Sequence, residues 1–171
     1  HMIVGNHDTF FKNTNDVNSP RLLLKDYEFN VIDTPSELEF DDGSKIFMMP
    51  WICTDNYNQS MEAIKTTDAQ VLFGHFEIAG FQMYKGHEND EGFDPKIFEK
   101  FDTVCSGHFH HRSSNGNINY LGNPYELTWA DFEDPRGFHI FNTGTRELDF
   151  IQNPFSIFSK VYYDDDKVDP S

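Results

Sequence analysis

The feature that most constrains this chain is a pattern that occurs three times: an apolar strand, a glycine, then side chains able to bind a cation. The three segments are Ile3-Val4-Gly5-Asn6-His7-Asp8, Val71-Leu72-Phe73-Gly74-His75-Phe76-Glu77 and Val104-Cys105-Ser106-Gly107-His108-Phe109-His110-His111. In open α/β sheets, ligands collect just beyond the carboxyl ends of the strands, where successive loops converge. A glycine there lets the backbone turn sharply and lets an ion or phosphate come close. The histidine that follows is directed into the crevice, while the next residue, Phe76 or Phe109, turns back into the fold. His108 and His110, two apart in an extended segment, share a face. A single Gly-His pair is a common accident, and a lone histidine is more often a core residue than a ligand. Three such endings in one chain argue for a site. The other histidines read as structural: His87 in a polar loop, His139 in a strand without other ligands, His111 beside the third motif.

Around these motifs the pattern is short strands and short helices with turn punctuation. Ile3-Val4 reads as the tail of a strand that begins before residue 1. Ser19 as N-cap and Pro20 at the first helical position open a helix, and residues 29–33 form a strand. Residues 38–40 and 45–49 flank Asp41-Asp42-Gly43, a hairpin signal. A capped helix covers 58–66 and a buried strand 69–73, and 78–94 reads as a glycine- and charge-rich surface loop. Asp94-Pro95 opens a helix through residue 101, and 102–106 is the next strand. From residue 112 the pattern predicts a second, mostly antiparallel sheet. There 112–113 and 117–121 bracket Asn115-Gly116, and 137–141 and 147–151 bracket Thr143-Gly144-Thr145. One domain is expected over 3–163, with a fraying acidic tail over 164–171 and a cloning remnant at His1-Met2.

Composition bounds the partners. The 29 acidic and 13 basic residues give a formal net charge of −16, which repels phosphate backbones and by itself argues against nucleic acid. The 18 phenylalanines supply a core for a single domain of 171 residues. The longest apolar run, 46–53, contains Pro50 and is far short of a membrane span. Two cysteines make no disulfide framework, and the opening residues carry no signal-peptide pattern, so a reducing cytoplasm is expected.

Gly5-Asn6-His7-Asp8, Gly74-His75 and Gly107-His108-Phe109-His110 resemble the later motifs of the calcineurin-like metallophosphoesterases. The fuller set adds Pro50-Trp51, Glu77, Ser106, Tyr120-Leu121-Gly122-Asn123-Pro124 and Asp134-Pro135-Arg136-Gly137-Phe138. It is similar to the SbcD-type repair exonucleases, and most of all to the small subunits of phage recombination nucleases. The resemblance runs from residue 3 to about residue 163. It implies an α/β (α+β) fold of the metallophosphoesterase kind, a four-layer αββα sandwich truncated at its N-terminus. It also implies two divalent metal ions, usually Mn2+, and phosphodiester hydrolysis. Carried over position by position, Asn6, His75 and His108 would bind one ion and His110 the other. His7 would protonate the leaving oxygen or stabilise the phosphate, and Asp8 would orient His7.

The chain departs from the family in what it lacks. The family's Asp-x-His and Gly-Asp-x-x-Asp motifs belong upstream of residue 5, and with them the main ligands of the first ion and the bridging carboxylate. The region that caps DNA and docks the ATPase has no counterpart either. The expectation is therefore a nuclease half that binds metal weakly and is inactive alone, since three imidazoles and an amide carry no charge to hold a hard divalent ion. Expected partners are DNA, an SMC-like ATPase of the SbcC type, a separate chain supplying the N-terminal half, and a second copy meeting it through apolar surface exposed at the truncated strand. The ATPase would bring the cations this acidic chain lacks, with Lys12, Lys85, Arg112 and Arg136 contributing locally. Two other readings stay open: a phosphoesterase acting on small or protein phosphoesters, and a non-catalytic partner-binding fragment.

Overall fold

The central strands carry near-continuous apolar runs, such as Ile46-Phe47-Met48-Met49 and Val71-Leu72-Phe73, so that both faces of one sheet are buried. The computed structural model describes residues 1–162. In chain order they form β1 (Met2–Ile3), α1 (Ser19–Leu24), β2 (Val31–Ile32), β3 (Ser36–Glu39), β4 (Lys45–Met49), α2 (Tyr57–Thr66) and β5 (Val71–Gly74). There follow β6 (Phe81–Tyr84), β7 (His87–Asn89), a 3-10 turn at Pro95–Phe98, β8 (Thr103–Ser106), β9 (Ser113–Asn115) and β10 (Ile118–Tyr120). A second 3-10 turn at Trp129–Asp131 leads into the hairpin β11 (Gly137–Phe141) and β12 (Leu148–Gln152).

Six strands make a mixed sheet in the order β3-β4-β5-β8-β10-β9, with β4, β5, β8 and β10 parallel and antiparallel strands at both edges. On one face Phe47, Met49, Leu72, Val104, Ile118 and Tyr120 pack with Ile64 of α2 and with Phe76, Phe98 and Phe109. On the other, Ile46, Met48, Val71 and Phe73 meet Ile3 and Ile32 of the parallel pair β1–β2 and Phe141 of the hairpin. The result is a mixed α/β sandwich, as the sequence indicated.

Local details differ from the sequence reading, each for a physical reason. The N-cap of α1 is Asn18, whose side chain accepts from the Arg21 amide at 2.9 Å, and Ser19 is already helical. Asn56 holds the corresponding position of α2 without capping it, because its side chain turns back to the Cys53 amide and the Trp51 carbonyl. Residues 78–94 are not a surface loop: Ile78 and Phe81 are buried, and β6 and β7 pair across Gly86, whose φ of +83° suits a tight turn. The helix expected through residue 101 is a single 3-10 turn at Pro95–Phe98; beyond it the Phe101 amide donates to the Phe98 carbonyl at 3.1 Å, and Phe98 and Phe101 are both buried. The sheet expected from residue 112 divides. β9 and β10 join the main sheet because Ile118 and Tyr120 belong beside Val104, and only β11–β12 stand in the opposite layer. The expected acidic tail at 164–171 lies outside the described residues. Among the described residues no helix is long and apolar enough to cross a membrane.

The chain leaving β5 is fastened to its neighbours. Ser106 Oγ accepts from the Phe76 amide at 3.0 Å and donates to the Phe76 carbonyl at 3.1 Å. The Tyr120 hydroxyl donates to the same carbonyl at 2.9 Å and accepts from the Ile78 amide at 3.0 Å. A Tyr120→Phe substitution keeps the ring and strands the buried Ile78 amide, which costs about 1–3 kcal/mol. Urea titration should show a lower midpoint at unchanged slope.

Candidate metal centre

The first loop turns back on itself as soon as it leaves β1. Asp8 Oδ2 accepts from the Gly5 amide at 2.8 Å, and the Asp8 amide donates to the Gly5 carbonyl at 3.1 Å. This closed turn presents half-buried Asn6 to the sheet edge and leaves His7 exposed. The Trp51 amide donates to the Val4 carbonyl at 2.8 Å, tying β1 to the chain that leaves β4. The second loop carries His75 and the third His108 and His110, from the adjacent strands β5 and β8.

The glycines serve packing more than turning. None of Gly5, Gly74 and Gly107 has a positive φ. A Cβ on Gly5 would lie 2.9 Å from His75 Cε1, and one on Gly74 would collide with the Phe76 ring. At Gly107 the nearest atom would be His75 Nδ1 at 3.8 Å, an ordinary contact. The expected approach of an ion to backbone is thus replaced, at the first two, by close approach of a ring.

Three electron-pair donors converge. Asn6 Oδ1 lies 2.9 Å from His75 Nε2, which in turn lies 3.1 Å from His108 Nδ1. The His75 and His108 rings meet edge to face, with centroids 5.0 Å apart. Trp51 stacks on His108 at 5.3 Å and turns its edge to His75 at 6.1 Å, so it forms one wall of the cluster. Its role was not legible beyond the quoted Pro50-Trp51 pair, because nothing in the sequence says which histidine an isolated tryptophan will cover. Burial, reinforced by His108, His7 and His110, depresses the His75 pKa to about 4. Burial also lowers that of His108, against a raising influence of Glu77 and with further lowering from His7 and His110. Both rings are therefore held neutral, the form in which imidazole offers a lone pair.

Asn6, His75 and His108 are in contact, and His110 and His7 lie within electrostatic reach of both rings. Asp8 differs from expectation: its carboxylate holds the Gly5 amide, and among the described residues no hydrogen bond joins it to the His7 ring. Arg136 differs too. Instead of facing solvent as a phosphate contact it is buried, with one guanidinium nitrogen 2.7 Å from both Asp131 and Asp134. One amide oxygen and two imidazoles are the kind of donor that suits manganese or zinc. They carry no negative charge, and among the described residues no group of three or more His, Cys, Asp or Glu side chains is arranged to hold a metal ion. These three neutral donors would fill only part of a metal ion's coordination shell.

The sequence is 40% identical over 164 residues to exonuclease subunit 1 of Enterobacteria phage T4. That alignment covers 95% of this chain and 48% of the phage protein, so the chain spans about half the length of the curated relative it matches. No protein-family profile matches. The resemblance to phage nuclease subunits read from the motifs is borne out across nearly the whole chain.

The depressed pKa of His75 has a consequence for stability. Its folded value, about 4, lies below the ordinary 6.5, so between these limits the unfolded chain binds the proton more readily. Stability is then full above about pH 6.5 and declines as pH falls toward 4. Urea midpoints measured across this range should show that decline, and His75→Gln should flatten part of it.

Proposed function

We propose that this chain supplies part of a two-metal phosphodiesterase centre and acts as the nuclease subunit of a DNA recombination or repair assembly. The observation that carries the reading is the meeting of Asn6 Oδ1, His75 Nε2 and His108 Nδ1 at the carboxyl edge of the parallel strands. The similarity to a phage exonuclease subunit supports a nuclease-related role and narrows the chemistry to phosphodiester cleavage.

In this reading Asn6, His75 and His108 hold one divalent ion and His110 a second, with manganese the best match to amide and imidazole donors. When bound, such ions activate water and neutralise charge on the attacking and leaving oxygens. The chain's own residues do the rest. His75 and His108 stay neutral and so keep their lone pairs available. The Trp51 ring covers His108 and limits the directions it can face. His7, exposed on the turn that Asp8 closes, gives its proton to the leaving oxygen. The anionic ligands come from the part of such a subunit that this chain does not span, and until they are present metal binding is weak. DNA is the substrate despite the charge of −16, because an SMC-like ATPase partner brings cationic contacts and the ions neutralise the site itself.

The test is to supply the missing segment, in cis or as a separate chain. Manganese-dependent cleavage of linear DNA should appear and be stimulated by the ATPase, with reduced sensitivity to salt. His7→Ala should lose about 10²–10⁴-fold in rate while metal binding survives. His108→Ala should lose metal and activity together. Hydrolysis of a chromogenic phosphodiester with linear DNA left untouched, with or without the ATPase, would replace the nuclease by a small-substrate phosphoesterase.

A further inference from the structure

Two motifs, Tyr120-Leu121-Gly122-Asn123-Pro124 and Asp134-Pro135-Arg136-Gly137-Phe138, lie outside the Asn6–His75–His108 cluster, yet both close on the backbone carbonyl of His110. The carbonyl oxygen of His110 accepts from the Asn123 amide at 3.3 Å and from an Arg136 guanidinium nitrogen. The other terminal nitrogen of Arg136 donates to Asp131 Oδ1 and Asp134 Oδ2, each at 2.7 Å. Asp134 Oδ2 also lies 2.8 Å from His111 Nδ1, so the ring after His110 is held by the same carboxylate. Asp131 is fixed in turn, its second oxygen accepting from the Leu127 and Thr128 amides at 2.8 and 2.9 Å. Gly122, at φ +71°, allows this closure: a Cβ there would lie 3.1 Å from both the His110 carbonyl oxygen and the Arg112 amide nitrogen.

The cluster is a costly way to gain stability alone. Asp131, Asp134 and Arg136 are all buried, and Arg136 Nε finds no partner among the described residues. Desolvating such ions often cancels their attraction, and apolar residues of similar volume commonly do as well. What the arrangement does provide is direction. A guanidinium fork engages two carboxylates and a carbonyl in one fixed geometry, which a lysine ammonium does not reproduce. With the carbonyl of His110 held on one side and the ring of His111 on the other, the backbone between them is locked. That sets the line along which the His110 side chain leaves the chain.

We propose that Arg136, braced by Asp131 and Asp134, is a positioning residue that aims His110 into the candidate metal centre. The value of that aim rests on the role proposed for His110, whereas the aim itself is a property of the metal-free chain. The experiment therefore has two arms. In the first, histidine ring resonances and amide exchange are recorded by NMR on the metal-free 171-residue chain, wild type and Arg136→Lys. The Asn123 amide should exchange about tenfold or more faster, and the His110 ring signal should broaden or split. The signals of His75 and His108, and exchange at Leu72 and Val104, should stay as in wild type. In the second arm Mn2+ is titrated in. Paramagnetic broadening should reach His75, His108 and His110 in the wild type and lose His110 selectively in the variant.

His111→Phe, which puts a phenyl ring in place of the imidazole and removes its bond to Asp134, gives an independent variant should Arg136→Lys not fold. An unchanged His110 ring and Asn123 amide in the variant would overturn the proposal. So would equal loosening of all three histidines and the core amides, which would make the cluster merely structural. Absence of manganese broadening in the wild type would sink the metal reading and leave the first arm to decide the positioning claim by itself.

Discussion

The geometry of this site depends on how the chain leaves β5. Residues 76–78 break away from the sheet at its buried edge, where their amides and carbonyls need partners that no strand can supply. Ser106 of the adjacent strand β8 and Tyr120 of β10 serve Phe76 and Ile78, each touching the Phe76 carbonyl, while the Phe93 amide donates to the Glu77 carbonyl. The arrangement fixes Phe76 in the core, and the alternation of an extended segment then sends His75 the opposite way, against Gly5. One set of hydrogen bonds thus couples β5, β8 and β10 and sets the position of the central histidine.

The chemistry of the cluster follows from its burial. Crowded imidazoles with a Trp51 wall are poorly solvated, so protonation is disfavoured and the rings stay neutral. Neutral donors suit a cation but do not hold it firmly by themselves. Among the described residues no carboxylate is hydrogen-bonded to His75 or His108. The chain's buried carboxylates are engaged elsewhere: Asp131 and Asp134 with Arg136, and Glu126 with the Ile157 and Phe158 amides.

Much of this could be read from the residues in order. The strand-Gly-His endings located β5, β8 and the tail of β1, and the family resemblance implied the sandwich. Asn115-Gly116 announced the β9–β10 hairpin, and Gly116 does adopt a φ of +59°. What could not be read was set by distant partners. The membership of β10 in the main sheet depends on Val104 lying beside Ile118, a pairing 14 positions apart with no local mark. The hairpin at β6–β7 looked like a polar loop because its outward residues are charged, while Ile78 and Phe81 carry the burial. Asp8 and Arg136 were legible as chemistry but not as contacts. Whether a carboxylate serves a ring or a backbone amide, and whether a guanidinium faces solvent or a carbonyl, is decided by packing that the order of residues does not display.

The central claim is that three strand ends gather neutral donors around a divalent cation. Crystals of this chain soaked in manganese, with diffraction recorded at wavelengths on either side of the manganese absorption edge, test it most directly. The account predicts an anomalous peak in contact with Asn6 Oδ1, His75 Nε2 and His108 Nδ1, incompletely occupied until the missing anionic ligands are supplied. A manganese peak bound elsewhere with these three side chains still hydrogen-bonded to one another, or no peak even with the complementing segment present, would contradict it.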